Sequence, residues 1–125
     1  MGRYYDGDIQ GKFWFGVQPS DDAEFFGAEP YEPAYIEYTV DDIEKVKNGI
    51  NRCLEILGEN KARLDEFFSN IDSYNDEMLY TYFKDKYNEQ FDMNLLGWYS
   101  RLELGQKIHD FMIENDNYCE FRAEL

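Results

Sequence analysis

Any chemistry in this chain has to come largely from carboxylates, since 27 Asp and Glu stand beside one histidine and two cysteines. Adjacent pairs such as Asp65-Glu66 and Asp76-Glu77 are what such a composition places on solvated helix faces. Acid–base work of the glycosidase kind needs more than a pair, because one carboxyl must sit in an apolar pocket that raises its pKa. The single histidine, His109, excludes a two-histidine mechanism and a histidine-rich metal site. It follows Leu95 and Leu102 at spacings of seven, which predicts a packed, hydrogen-bonded core imidazole. A Cys53–His109 nucleophile pair has no local motif around either residue. The segment Asp6-Gly7-Asp8-Ile9-Gln10-Gly11 opens like a calcium loop, with acids at its first and third positions and glycine at its sixth. It then departs from the pattern: Gln10 stands fifth, Val17 stands twelfth where a bidentate Glu is required, and no amphipathic helix precedes it. It therefore reads as a Gly-rich turn into a strand, with Asp6 and Asp8 making turn hydrogen bonds. No P-loop, GxGxxG or GxSxG motif occurs. The expectation is no enzyme, no cofactor and no metal.

The composition limits what holds these residues. Twelve Lys and Arg leave a net charge of −15 in 125 residues, while 43% of the chain is hydrophobic and it carries 11 Tyr, 10 Phe and 2 Trp. An acidic disordered tail lacks the apolar surface to offset its ordering entropy, whereas this chain has enough for a core. The length predicts one domain over residues 1–125. The charge is −6 before Asp41 and −9 from there on, so acidity belongs to the whole domain. Cys53 and Cys119 have neither a zinc spacing nor the density of a disulfide scaffold, and read as buried thiols in a reducing, cytoplasmic setting. The opening Met1–Asp6 contains no apolar leader, and no stretch approaches the roughly 20 apolar residues of a membrane span.

Two kinds of period organise the chain. Alternation over Lys12–Gln18 (Phe13, Phe15, Val17 against Lys12, Trp14, Gln18) and over Tyr35–Val40 predicts two half-buried strands, joined by a turn-rich segment from Pro19 to Pro33 with room for a short helical turn. Asp41-Asp42-Ile43-Glu44 has the form of a capping box with Asp41 at the N-cap, and Ile43, Val46, Ile50, Cys53, Leu54 and Leu57 repeat at helical spacing up to Gly58. Three further helices are predicted, one from Glu59, one after Asp72-Ser73 and one over about Asn94–Glu114 with its stripe on Leu95, Trp98, Leu102, Gly105, His109 and Met112. The end of the chain alternates again, with Cys119, Phe121, Ala123 and Leu125 on one face. The expected fold class is α+β: a small three-stranded antiparallel sheet, two N-terminal strands plus the C-terminal one, packed against about four helices.

Tyr4, Tyr5, Tyr31, Tyr35, Tyr74 and Tyr80 lie off these stripes, where an amphipathic ring caps a core edge or serves an interface. Phosphate contacts need clustered Lys and Arg, so direct nucleic-acid binding is disfavoured at this charge. The converse follows: carboxylates interleaved with aromatic rings suit a basic protein surface and are steered to it electrostatically. The expected contact residues are Tyr4, Tyr5, Asp6, Asp8, Asp21, Asp22, Glu24 and Phe25, which interleave acid and ring on turn-rich segments. The expectation is a monomer or small homo-oligomer that docks on a nucleic-acid-binding protein as a mimic of its ligand. The alternative is a structural or accessory subunit of a virion or other assembly. By resemblance, Gly2 to Phe15 (GRYYDGDIQGKFWF) and Ser20 to Gly27 (SDDAEFFG) are similar to a signature of an uncharacterised small acidic protein family of phages, large DNA viruses and environmental sequences. That resemblance implies a phage, viral or environmental source and carries no assigned activity and no residue roles; the expectation of an inhibitor acting in a host cytoplasm comes from the composition, which is similar to that of phage and viral nucleic-acid mimics.

Overall fold

A computed structural model describes residues 4–12, 22–31, 36–71 and 74–124. The chain is α+β, an antiparallel sheet packed against four helices. Its strands are β1 (Tyr4–Gly7), β2 (Gly11–Lys12), β3 (Glu29–Tyr31), β4 (Ile36–Val40) and β5 (Cys119–Glu124), and its helices are α1 (Ile43–Leu57), α2 (Asn60–Ser69), α3 (Asp76–Tyr87) and α4 (Asn94–Glu114). A five-residue 3-10 turn, Asp22–Phe26, lies between β2 and β3.

The expected three-stranded sheet forms the middle of a five-stranded one ordered β2-β1-β5-β4-β3. β5 lies at its centre, Tyr5 opposite Ala123 on one side and Tyr38 opposite Phe121 on the other. Alternation sets its faces: Cys119 and Phe121 are buried while Glu120 and Arg122 are exposed. The N-terminal strand beside β5 is Tyr4–Gly7, upstream of the predicted one, because Asp6–Gly11 closes a β1–β2 hairpin. Of the predicted Lys12–Gln18 strand, residues 13–18 lie outside the described residues.

Two of the helices begin on identifiable side chains. Asp42, not Asp41, caps α1, its carboxylate accepting from the Glu44 and Lys45 amides at 3.1 and 3.3 Å. Asn75 caps α3 through the Met78 amide at 2.8 Å. The buried face of α4 is broader than its predicted stripe: Leu96, Ser100, Leu104 and Ile108 join Leu102, Gly105 and Met112, because the helix meets α1, α2, the 3-10 turn and β5. Leu95, Trp98 and His109 are half-buried at its margin.

The 3-10 turn delivers Phe26 between α1 and α4. A Cβ at Gly49 would meet the Phe26 ring at 2.6 Å, and one at Gly105 would collide with the same ring. These two glycines let the helices close on an aromatic wedge that is fully buried. A second aromatic cluster, Phe67, Phe68, Tyr74, Tyr82, Phe83, Tyr87 and Phe91, joins α2 to α3 by edge-to-face and tilted contacts. Tyr74 is thus part of the packing, whereas Tyr80 remains exposed. No helix among the described residues is long and apolar enough to cross a membrane.

Candidate functional site

The hairpin and the centre of the sheet bring carboxylates to one end of the molecule. Asp8 sits in the β1–β2 turn and is locked to β5 twice: its amide donates to the Glu120 carbonyl at 3.0 Å, and its Oδ2 accepts from the Glu120 amide at 2.8 Å. Tyr118, just before β5, donates its hydroxyl to Glu120 Oε2 at 2.7 Å. The β4–β5 register sets Val40 opposite Cys119, which carries Asp41 to the same end as Tyr118. Asp8, Asp41, Tyr118 and Glu120 are all exposed. The Tyr118 phenol is held above the ordinary tyrosine range, first by its hydrogen bond to Glu120, then by partial desolvation and by the charges of Glu120, Asp8 and Asp41. Among the described residues none of these three carboxylates has a Lys or Arg within 4.0 Å. Asp6, on the neighbouring strand, pairs with Arg122 at 3.3 Å and is partly neutralised.

The structure divides the predicted contact residues. Asp6 and Asp8 are exposed at this rim, and Glu24 is exposed on the 3-10 turn. Tyr5 is a correction: it is only 5% exposed, its ring edge-on to Phe121 and its hydroxyl accepting from Lys107 Nζ at 3.1 Å. Strand pairing with β5 turns this side chain into the core, and the Tyr-Tyr dipeptide does not reveal which ring goes inward. Asp22 is a second correction, being 2% exposed and paired with Arg101 Nε at 2.6 Å. Phe25 is half-buried, edge-on to Phe26 and Trp98, with the Arg101 guanidinium 4.5 Å from its ring centre. The same guanidinium lies 4.5 Å from the Trp98 ring, so Arg101 is held between two rings and a buried carboxylate. This arrangement is architecture and offers no accessible contact from Asp22. Asp21 and the side chain of Tyr4 lie outside the described residues.

Sequence reasoning missed Asp41, Tyr118 and Glu120. Asp41 reads in the sequence as the helix cap, Glu120 meets Asp8 across 112 positions, and Tyr118 precedes the strand that brings them together. The signal available was the alternation after Tyr118, which places Glu120 and Arg122 on the outer face.

The remaining chemical candidates resolve differently from one another. His109 is half-buried at the surface, not in the core: it lines a cleft of about 580 Å³ between α1 and α4 with Lys47, Ile50, Asn51, Gln106 and Asp110, its Nδ1 3.3 Å from Asp110 Oδ1. Cys53 and Cys119 are free and fully buried, and burial pushes their thiols up to about 11 and about 12. Thiols so placed are protonated and shielded from reagents at neutral pH. Among the described residues no group of three or more His, Cys, Asp or Glu could hold a metal ion. Comparison with protein-family models, with curated proteins and with solved structures returns no match.

Proposed function

We propose that the protein is a non-enzymatic acidic binding protein that docks on a basic protein surface through the rim formed by Asp8, Asp41, Glu120 and Tyr118. The observation that carries this reading is the convergence of three exposed carboxylates on one exposed tyrosine, with no Lys or Arg within 4.0 Å among the described residues. Some acids elsewhere are neutralised locally, as in Arg63–Glu89 at 2.7 Å, whereas others, among them Asp76 and Glu77, also have no Lys or Arg within 4.0 Å among the described residues. A rim of uncompensated carboxylates gains most when a partner supplies the cations, and the net charge of −15 steers such a partner inward. Tyr118 adds ring area at low entropic cost. The partner class is a nucleic-acid-binding protein whose phosphate-binding groove the rim occupies. The phage or viral context rests on the N-terminal resemblance, and the inhibitor reading on the acidic, aromatic composition.

The test is capture from lysate with the native chain and with the triple variant Asp8→Asn, Asp41→Asn, Glu120→Gln, each eluted by a salt gradient. The reading expects basic partners released by rising salt, and at lower salt from the variant. Partners indifferent to salt, or unchanged retention on the variant, overturn it. The competing reading, a subunit of an assembly, draws on Met78, exposed on α3 in a cleft it lines with Phe67 and Tyr82, and on Tyr80, exposed elsewhere on the same helix. Concentration-dependent self-association in sedimentation, abolished by Met78→Lys, would favour that reading.

A further inference from the structure

The cations of this acidic molecule are unevenly employed. Arg63 and Arg101 are taken up by carboxylates at 2.7 and 2.6 Å, Lys61 by Asp65 at 2.5 Å, and Lys86 by Glu66. Lys107 donates to the Tyr5 hydroxyl and the Gln10 carbonyl at 3.1 and 3.2 Å. The exposed face of α1 differs. Lys45 has no carboxylate within 4.0 Å among the described residues, and Arg52 has only Glu55 at 3.8 Å, with both side chains more than 60% exposed. An exposed pair of that kind contributes little.

Lys45, Asn48 and Arg52 succeed one another at i, i+3 and i+7, on one line along the helix. That line borders a cleft of about 400 Å³ between α1 and the 3-10 turn. Gly27 and Gly49 form its floor, Phe25 one wall, and Glu24 contributes the single acid. Gly27 has a φ of +87°, a conformation that favours glycine, and the aliphatic stem of Lys45 lies where a Cβ would project. The cleft therefore presents part of the half-buried Phe25 ring beside two cations and one carboxamide.

We propose that this cleft is a second docking site, opposite in character to the acidic rim, and that its occupant is an extended peptide segment carrying two carboxylates three residues apart. Seven residues of helix separate Lys45 from Arg52 by roughly 10 Å. Three residues of polyproline II chain span about 9 Å and bring the side chain back to the same face, so one peptide can meet both cations. Asn48, between them, offers a donor and an acceptor to the peptide's own amide, a pairing a phosphate backbone cannot return in full. The net charge of −15 also separates the two classes of anion. Screening over about 8 Å at physiological salt confines a short peptide to the local cations, whereas a nucleic acid carries its charge across the acidic remainder.

The proposal is independent of the rim and fails separately from it. The probe is an acetylated, amidated peptide of sequence Ala-Glu-Gly-Ala-Glu-Ala, titrated into the isotope-labelled chain and followed by amide chemical shifts. The expected result is saturable shifts confined to α1 and the 3-10 turn. The double variant Lys45→Gln, Arg52→Gln should weaken binding about tenfold with an unchanged melting temperature. The charge-keeping Lys45→Arg, Arg52→Lys should retain affinity within about twofold. The rim triple variant should bind the peptide as the native chain does. Absence of shifts at millimolar peptide, equal binding of the Gln-for-Glu peptide, or undiminished binding by the double variant overturns the site. A thymidine oligonucleotide that produces the same shifts at lower concentration overturns the peptide as its occupant.

Discussion

Asp41 and Asp42 stand side by side before α1 and have separate roles. Asp42 satisfies two amides that the first helical turn leaves without partners, and Asp41 is left to face the rim. Asp42→Ala should cost about 1 kcal/mol in urea unfolding, while Asp41→Ala should stay within roughly 0.5 kcal/mol. Equal effects would return the cap to Asp41. Asp22 tests the opposite situation, a carboxylate whose charge is matched inside the protein. Arg101→Leu leaves that carboxylate buried without its cation and should destabilise by about 3 kcal/mol. The double variant Asp22→Asn, Arg101→Leu should be more stable than Arg101→Leu alone, because the buried charge that lost Arg101 is gone. The role of Asp22 was hidden in the sequence. A short acidic run shows which residues are charged, but the partner that decides their fate, here 79 residues along the chain, does not appear beside them.

At the level of elements, the contact between α1 and α4 depends on the two glycines that receive Phe26. Gly105→Ala places a methyl group into that fully buried ring and should cost about 1–3 kcal/mol in thermal or denaturant unfolding. An unchanged stability would mean that the helices do not close on Phe26 as described. The four helices were legible because each repeats apolar residues over many turns and begins or ends at a capping residue, such as Asn75 or Gly58. β4 and β5 were legible through alternation. β1 and β3 were not: Tyr-Tyr-Asp-Gly has no alternation to read, and β3 holds Pro30 in an edge strand of three residues, where a missing amide is tolerated. The rim inherits that opacity, because it exists only once β1 is laid against β5. The α1 cleft was equally silent, since its basic line is unremarkable until the 3-10 turn supplies the facing wall.

For the whole molecule, burial and pH are coupled through the two cysteines. Their folded-state pKa values are raised, to about 11 and about 12, from an ordinary value of 9.0, so the folded chain binds more protons than the unfolded one across that interval. The stabilisation is complete below pH 9 and is lost as pH rises through the folded values, each pKa unit corresponding to about 1.4 kcal/mol. Unfolding free energy measured in urea should therefore be flat from neutral pH to about 9 and fall steeply above it, and Cys53→Ala with Cys119→Ala should flatten that fall. The same central strand that buries Cys119 also dictates an order of assembly. Every pairing that joins the two halves of the sheet passes through residues 119–124, and Asp8 meets Glu120 across 112 positions. A chain emerging from the ribosome can wind its helices and pack Phe26 early, but β1 and β4 wait as two unpaired edges until the last strand arrives between them. Asp6 and Asp8 beside one waiting edge and Asp41 beside the other carry like charge, which opposes pairing between unfinished copies while the sheet is still open.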